Sequence, residues 1–247
     1  MIIHSKVFVW NCRGAANTSF LRYCKQYVDV HRPIMLIIVE TRCDPKKLCC
    51  TFKLLGYDEM LTTENRGYTG GIVVAWKKEN INVTLTSKKF QFMHLKVQFP
   101  NGRDWYFTPV YASPNEENRR VLWEDLKNIA ARMEDSRLLA GDFNDIMFST
   151  EKKGGAPVSV RKCNNFRERI NACQLMDIGS MGAKFTWRGP NYHGGQRIYE
   201  RLDRALSNDK WRIQFPDGYV RVLPRVIEKA NGNRGVKISD QVAHMLQ

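Results

Sequence analysis

The chain has 247 residues, 43% of them hydrophobic, which fits one large α/β or sandwich domain with a sizeable core and argues against intrinsic disorder. Its 39 Lys and Arg residues outnumber 25 Asp and Glu residues by a formal +14, so we expect a polyanionic partner, in the first place nucleic acid. The longest apolar run, Ile34–Val39, is far shorter than the roughly 20 residues of a membrane span, so we expect no membrane insertion.

The cysteine pattern and the N-terminus bear on the compartment. Seven cysteines form no C-x-x-C pair and match no histidine pattern, so zinc fingers and disulfide frameworks are disfavoured and reduced thiols are expected. The opening stretch, MIIHSKVFVW, contains neither the apolar core nor the cleavage site of a secretory signal. We expect a monomer of the nucleus or cytoplasm that is not secreted.

The hydrophobic pattern predicts strands and helices that mix throughout the chain. Predicted helices cover Ser19–His31, Asn115–Met133 and Arg161–Leu175. Predicted strands cover Lys6–Trp10, Ile34–Val39, Gly70–Trp76, Asn82–Ser87, Phe92–Phe99, Trp105–Tyr111, Leu138–Ala140, Lys184–Trp187 and Ile198–Leu206. No repeat or low-complexity linker divides them. This order predicts two mixed sheets packed face to face, with helices outside.

Polar residues stand where several of these apolar strands end. The stretch LLAGDFND, for example, runs from a strand directly into an acid and an amide. Gly-Asp is also common turn chemistry, so a plain turn is the alternative interpretation. In open α/β sheets, however, ligands bind at strand ends that border a crevice. The candidates chosen on this ground are Asn11, Glu40, Tyr111, Asp142, Asn144 and Asp203.

An ordered series of short motifs resembles the endonuclease/exonuclease/phosphatase superfamily. The stretches are WNCRG, ET at 40–41, GGIVVAW, VYASPN, GDFN, FTWRG and ERLDRAL, and they span roughly residues 5–226. The residues of these motifs are most similar to those in the endonuclease domains of plant LINE-type retrotransposons. This resemblance implies a four-layered α/β sandwich of two mixed sheets and hydrolysis of a DNA phosphodiester with Mg²⁺, for which Mn²⁺ can substitute.

The resemblance also implies roles on the metal side of the site. Glu40 would be a hard oxygen ligand of Mg²⁺, and Asn11 matches the strand-end Asn beside the metal. Asp240 belongs to the same set if Ser239–Asp240 is a relic of the closing Ser-Asp-His motif of the family.

Four further residues would act on the scissile phosphate. Asp142 would accept a proton from the attacking water. Asn144, on the same side of an extended chain, would bind Asp142 or a phosphate oxygen. Tyr111 would reach the phosphate through its hydroxyl, and Asp203 matches the acid that orients a catalytic His.

Additional residues are candidates for substrate binding. Asn115 and Arg119 would add phosphate contacts, and Arg13, where some family nucleases carry an acid, would grip the DNA backbone. Trp187 and Tyr192 would stack on or wedge against bases. For Trp187, a place in the core is an equally good interpretation.

The sequence departs from the family near its end. Ser239 and Asp240 are followed by Gln241 where the family has His, and only six residues remain, barely one strand. Either an insertion precedes a degenerate motif, or 227–247 is a divergent tail behind a domain at 1–226; we favour the tail. Since Gln cannot become a cation, weakened or lost cleavage is expected. The rival functions are a catalytically dead nucleic-acid-binding remnant and a sister phosphatase acting on inositol phosphates or lipids.

Overall fold

Two large mixed sheets and five α-helices make up the part of the chain that the computed structural model describes, which is residues 5–15, 18–63, 71–100, 102–189, 197–223, 227–228, 237–238 and 243–246. This mixed α/β architecture confirms the predicted fold class. Within those ranges, the helices are too short or too polar for any of them to cross a lipid bilayer.

The helices and strands follow one another in the mixed order that the sequence predicts. The helices are α1 Thr18–His31, α2 Cys49–Leu54, α3 Glu116–Ala131, α4 Val160–Ala172 and α5 Asp209–Gln214, with 3₁₀ turns at Pro45–Leu48 and Ser149–Glu151. The strands are β1 Val7–Asn11, β2 Met35–Val39, β3 Glu59–Thr62, β4 Ile72–Trp76, β5 Asn82–Lys89, β6 Phe92–Gln98, β7 Asp104–Tyr111, β8 Arg137–Asp142, β9 Lys152–Lys153, β10 Met176–Asp177, β11 Met181–Gly182, β12 Trp187–Arg188, β13 Tyr199–Glu200, β14 Asp203–Ser207, β15 Val220–Leu223, β16 Ile227–Glu228, β17 Lys237–Ile238 and β18 Ala243–Leu246.

The strands form two large sheets and two small ones. The first large sheet has seven strands in the order β11-β15-β18-β1-β2-β4-β3, and the second has six in the order β10-β14-β8-β7-β6-β5. A three-stranded sheet has the order β12-β13-β9, and β16 pairs with β17. Both large sheets mix parallel and antiparallel pairs, since β1 runs parallel to β2 and β7 parallel to β8.

Strand β2 shows how the layers are built from sequence. Its five residues are all fully buried, as expected of a continuous apolar run. Met35, Ile37 and Val39 join the core between the two sheets, whereas Leu36 and Ile38 pack with residues of α1 and α2 on the other face. This alternation follows from the two-residue repeat of a strand and lets one run serve two layers.

A second layer of helices lies on the outer face of the second sheet, so that the order is helices, first sheet, second sheet, helices. There, α3 and α4 contribute Leu126, Trp123 and Phe166 to an apolar cluster with Leu139 and Leu206 of the sheet. Helices therefore cover both outer faces, which confirms the four-layered sandwich.

Two predicted strands in the last third are shorter than expected. The prediction Lys184–Trp187 is wrong in extent, because the strand covers only Trp187–Arg188. The prediction Ile198–Leu206 is interrupted: the N–H groups of Leu202 and Asp203 both donate to Thr186 Oγ1, at 3.0 Å each, and the chain breaks into β13 and β14. A side-chain acceptor here competes with strand pairing, which residue periodicity does not reveal.

The end of the chain supplies a strand to the first sheet. Residues of β18 pair antiparallel with both β1 and β15, and Ala243 is the register partner of Trp10. Strand β18 thus lies inside the sheet although it comes from beyond the predicted boundary at 226/227. That boundary, and the choice between insertion and divergent tail, stay predictions.

Candidate active site

Five predicted site residues lie at neighbouring strand ends, where the two large sheets face each other. In the second sheet, Tyr111 on β7 and Asp203 on β14 are both register partners of Asp142 on β8. In the first sheet, Asn11 ends β1, and Glu40 directly follows the parallel strand β2. Asn11 Nδ2 donates to Asp142 Oδ2 at 2.8 Å, a buried hydrogen bond that joins the two sheets.

A glycine determines how Asp142 is presented. Gly141 has φ of +145°, and a Cβ placed there would lie 2.0 Å from the carbonyl oxygen of Val110 on β7. Only glycine allows the two backbones to approach this closely. The close packing of β8 against β7 therefore requires Gly141 before the acid.

Asn144 corrects one detail of the sequence analysis. Its φ is +48°, so the chain turns directly after β8 and does not continue extended. The Asn144 backbone N–H donates to Asp142 Oδ1 at 2.8 Å, while its side-chain Nδ2 donates to the Ala112 carbonyl at 2.7 Å. The chain is therefore not extended at Asn144, and its side-chain amide bonds to Ala112; the alternative contact of that amide with a phosphate oxygen stays a prediction. The residues after β8 thus form a turn and also belong to the candidate site.

The acids of this cluster perturb one another. Burial raises the pKa of Asp142 well above its usual range, the charge of Asp203 and then that of Glu40 add to the rise, and the Asn144 N–H opposes it. Burial also raises the pKa of the Tyr111 hydroxyl, helped by Glu40 and Asp142. Carboxylates sharing a pocket of low dielectric favour a bound cation.

Glu40 and Arg42 form an ion pair within a strained turn. The φ values of Glu40 and Arg42 are +58° and +50°, a conformation uncommon for such residues, and the Arg42 guanidinium pairs with Glu40 Oε1. The Ala15 N–H holds this turn by donating to the Thr41 carbonyl at 2.7 Å. The Arg42 side chain is 52% exposed and that of Glu40 is 9% exposed, so the arginine can leave more easily than the acid.

Arg13 and Trp187 flank the cluster on one side. The Arg13 guanidinium lies 5.7 Å from the centre of the Trp187 ring, within cation–π range. The Arg13 backbone N–H donates to Asn11 Oδ1 at 3.2 Å. Trp187 is half-buried, so it belongs to the rim of the site and is neither a core residue nor a fully exposed one.

Asn115 and Arg119 have structural tasks next to the site. Asn115 is exposed and caps the start of α3 with its side-chain oxygen. Arg119 is buried; it donates to the carbonyls of Ser113 and Pro114 at 2.9 and 2.8 Å and lies 3.5 Å from Asp145. These contacts anchor the loop after β7, and a phosphate contact by either residue stays a prediction.

Several predicted residues lie outside the described part of the chain. These are Tyr192, Ser239, Asp240 and Gln241. Among the described histidines, His94 is buried on β6 against Thr108, 2.8 Å from its hydroxyl. Burial, together with the charge of Arg137, lowers the pKa of His94 to about 4.

A buried ion network behind the site was missed by the sequence analysis. Arg204 is fully buried and lies 2.9 Å from both Glu151 and Asp177, while Arg201 lies 3.0 and 2.9 Å from the same two acids. The signal was present in ERLDRAL, since Arg204 directly follows Asp203 and must point to the opposite face of the strand. Glu151 also accepts the Met147 N–H at 2.6 Å and so fixes the loop after the GDFN turn.

Comparison with known proteins agrees with this geometry. The family model for the Endonuclease/Exonuclease/phosphatase family matches residues 8–240. The chain belongs to this family. No curated protein matches the sequence significantly.

Solved structures of the family share the fold at low identity. The 3'-5' exonuclease NExo from Neisseria meningitidis has a TM-score of 0.69 at 15% identity over 98% of both chains. The AP endonuclease LMAP from Leishmania major has a TM-score of 0.66 at 12% identity, over 98% of this chain and 87% of that one. The endonuclease domain of TRAS1, a telomere-specific non-LTR retrotransposon, has a TM-score of 0.64 at 12% identity over 98% and 97%.

The donor set of the site fits the divalent metal that members of this family generally use. Carboxylate and amide oxygens come from Glu40, Asn11, Asp142 and Asp203, and hard oxygen donors suit Mg²⁺. Among the described residues, no three His, Cys, Asp or Glu side chains form a ready-made metal cage. Mg²⁺ does not need one, because it keeps several waters and is held by one or two carboxylates together with substrate phosphates.

Proposed function

We propose that this chain is a Mg²⁺-dependent endonuclease-type phosphodiesterase of nucleic acid, of the LINE-type retroelement class, with weakened activity. The observation that carries the proposal is the Asn11–Asp142 hydrogen bond between the two sheets, 2.8 Å long and buried. It holds one oxygen of a perturbed acid in place at the centre of a cluster of carboxylates, in a protein with a formal charge of +14. Such a constellation suits proton abstraction next to a phosphate.

Asp142 is the proposed general base. Its Oδ2 is held by Asn11 and its Oδ1 by the Asn144 N–H, so the carboxylate has a defined orientation. A water proton would pass to Asp142 as the water oxygen bonds to phosphorus, and the bond to the leaving oxygen would break. The Tyr111 hydroxyl, with its raised pKa, stays protonated at neutral pH and can donate a hydrogen bond to a phosphate oxygen.

Glu40 and Asn11 are the proposed metal-binding residues, with Asp240 as a third candidate. A bound Mg²⁺ would neutralise charge that develops on the phosphate. The leaving oxygen also needs a proton, and Gln241 cannot supply it as a His would. For this reason we expect slow cleavage, and a remnant that only binds nucleic acid is the second candidate.

Binding of nucleic acid is proposed to be electrostatic and largely independent of base sequence. If about four to six phosphates are neutralised, log K should fall against log salt with a slope of about −4 to −5. A salt-independent affinity would contradict this mode of binding. The positive charge also favours nucleic acid over inositol phosphates as substrate. We infer a monomer acting in the nucleus or cytoplasm.

Plasmid nicking with Mg²⁺, with EDTA as the control, tests the enzyme against the remnant. Metal-dependent nicking that Glu40→Ala abolishes supports the enzyme. Retarded DNA without nicking supports the remnant, and neither binding nor nicking overturns both. Calorimetric titration with Mn²⁺ tests Glu40 separately, since equal affinities of wild type and Glu40→Ala would remove Glu40 from the metal site.

A further inference from the structure

An aromatic ring is exposed close to the candidate active site. Phe148 is 47% exposed, and within the described residues the other exposed large hydrophobic side chains are aliphatic. They are Leu21, Val30, Leu54, Val121, Val160, Met176, Met181 and Ile213. Single exposed aliphatic residues are normal on a protein surface and need no explanation. A Phe ring in the loop that follows the GDFN turn is a different case.

The loop that carries Phe148 is held rigidly. The Met147 N–H donates to Glu151 Oε2 at 2.6 Å, and the Glu151 N–H donates to the Phe148 carbonyl at 3.0 Å. Glu151 is itself anchored by Arg204 and Arg201. The ring is therefore presented at a fixed place, and a ligand that binds it has little loop entropy to overcome.

A guanidinium lies on the ring. The Arg167 guanidinium carbon is 5.0 Å from the ring centre of Phe148. Its two terminal nitrogens donate to the Met147 carbonyl at 3.1 Å and to Asn164 Oδ1 at 2.6 Å, so the group is held over the ring. Arg161 and Lys162 are exposed in the first turn of the same helix, and that turn contains no acidic residue.

The ring is also within reach of a strand bound at the site. Phe148 follows Asn144 by four residues, which limits their separation to about 14 Å. A nucleic-acid strand covers that distance in about four nucleotides at 3.4 Å per base. A single exposed ring does not make a stable protein interface, which buries about 800 Å² per partner.

We propose that Phe148, backed by Arg167, is a stacking platform for an unpaired base of the nucleic acid at the active site. The inference rests on the proposed function, since it assumes that a strand passes through the site. A base stacks on any aromatic face without regard to its identity, and an adjacent arginine adds charge attraction for the flanking phosphates. The platform would select single-stranded or frayed substrate beside the cleaved bond.

Affinity measurements on the full chain in EDTA test the platform. Fluorescence anisotropy with single-stranded oligothymidylate should show Phe148→Leu binding about 5- to 100-fold more weakly, with an unchanged slope against log salt because no charge is lost. Arg167→Gln should reduce the size of that slope by about 0.7. Leu54→Ala, which truncates an exposed apolar side chain on α2, is the matched control and should change neither quantity. Thermal unfolding checks that each variant is folded.

An abasic oligonucleotide sharpens the test. Removing one base at the stacked position should weaken wild-type binding about as much as Phe148→Leu does, and combining the two changes should cost no more than either alone. Scanning the abasic position along the strand locates the platform relative to the cleft.

The outcomes separate the two proposals. If the wild type binds no nucleic acid, the proposed function fails. If the wild type binds but Phe148→Leu binds every oligonucleotide equally well, the platform is overturned and the proposed function stands. Equal weakening on blunt duplex and single strand would also overturn it, since stacked duplex offers no unpaired base.

Discussion

Two groups of buried acids lie on opposite faces of strand β14, and they differ in how much positive charge surrounds them. Asp203 and Arg204 are neighbours in the strand and so point to opposite faces. On the Arg204 face, two acids, Glu151 and Asp177, meet two arginines, Arg204 and Arg201.

On the Asp203 face, acidic side chains outnumber basic ones among the residues that the structure describes. Asp203, Asp142 and Glu40 lie together there, and the arginines beside them are Arg42, paired with Glu40, and Arg13 on the rim.

The two faces also shift acid pKa values in opposite directions. Burial alone would raise the pKa of Asp177, but the charges of Arg204 and Arg201 outweigh it and lower that pKa. Burial and the charge of Asp203 both raise the pKa of Asp142. An acid surrounded by arginines, such as Asp177, is a structural element, whereas an acid with a raised pKa, such as Asp142, is prepared to take up a proton or a metal.

The largest expected effect comes from breaking the balanced face. Arg204→Met would leave Glu151 and Asp177 short of a buried partner and should lower the free energy of unfolding by about 3–5 kcal/mol, measured by urea denaturation. Lys210→Met, which removes an exposed pair with Glu134, is the control and should cost about 0–1 kcal/mol. Similar small losses in both variants would mean that the network is not structural.

Adding a cation to the acid face should produce the next largest effect. If Ser239–Asp240–Gln241 is a relic of the closing family motif, Gln241→His should raise plasmid nicking by about 10²-fold or more. The gain should vanish when Asp203→Ala is added, since an imidazole without an orienting acid loses its geometry.

Strand β18 motivates this prediction, because it begins at Ala243 opposite Trp10, the residue before Asn11. If 227–247 is foreign sequence, the substitution should change nothing, and only rebuilding the family ending after Arg225 should help. No gain from either variant would show that the lost activity has another cause.

Replacing Asp203, the residue before Arg204, should have a smaller effect on stability, and one of opposite sign to that of Arg204→Met. Asp203→Asn removes a negative charge beside Asp142, so it should lower the pKa of Asp142 and stabilise the metal-free protein at pH 7 by about 0.5–2 kcal/mol.

The pH dependence follows from the direction of the shift. Since the folded-state pKa of Asp142 is raised, its contribution to stability is complete below the unfolded value of about 4 and is lost as the pH rises through the folded value. The advantage of Asp203→Asn should therefore be small at pH 4 and grow toward pH 7 in EDTA. A pH-independent difference would argue against repulsion between the two acids.

The smallest expected effect concerns Arg42. The Arg42 guanidinium pairs with the Glu40 carboxylate and would compete with a metal for it. Arg42→Ala should therefore raise the affinity for Mn²⁺ about two- to fivefold in calorimetry, which corresponds to the free energy of an exposed ion pair. Arg42→Lys keeps the charge and should leave the affinity near that of the wild type. A weaker affinity in Arg42→Ala would mean that Arg42 supports the metal site and does not compete with the metal.

Local pattern in the sequence determined the layers of the fold and the identity of the candidate residues. A run such as Ile34–Val39 predicts a strand buried on both faces because its side chains alternate between two layers. Polar residues directly after such runs, as at Glu40 and Asp142, mark strand ends, and the order of the motifs indicated the family.

Tertiary structure alone decided which groups meet and in what conformation. Asn11 and Asp142 are 131 residues apart, and only the packing of the two sheets brings their side chains to 2.8 Å. Asn144 contacts Asp142 through its backbone N–H, whereas its side-chain amide donates to the Ala112 carbonyl. The strand pattern places Arg204 on the face opposite Asp203, but only the fold brings Glu151 and Asp177 from distant segments to this buried side chain. The hydrophobic pattern of a segment indicates which of its faces is buried. Hydrogen bonds and ion pairs, by contrast, depend on distances between residues that are far apart in the sequence.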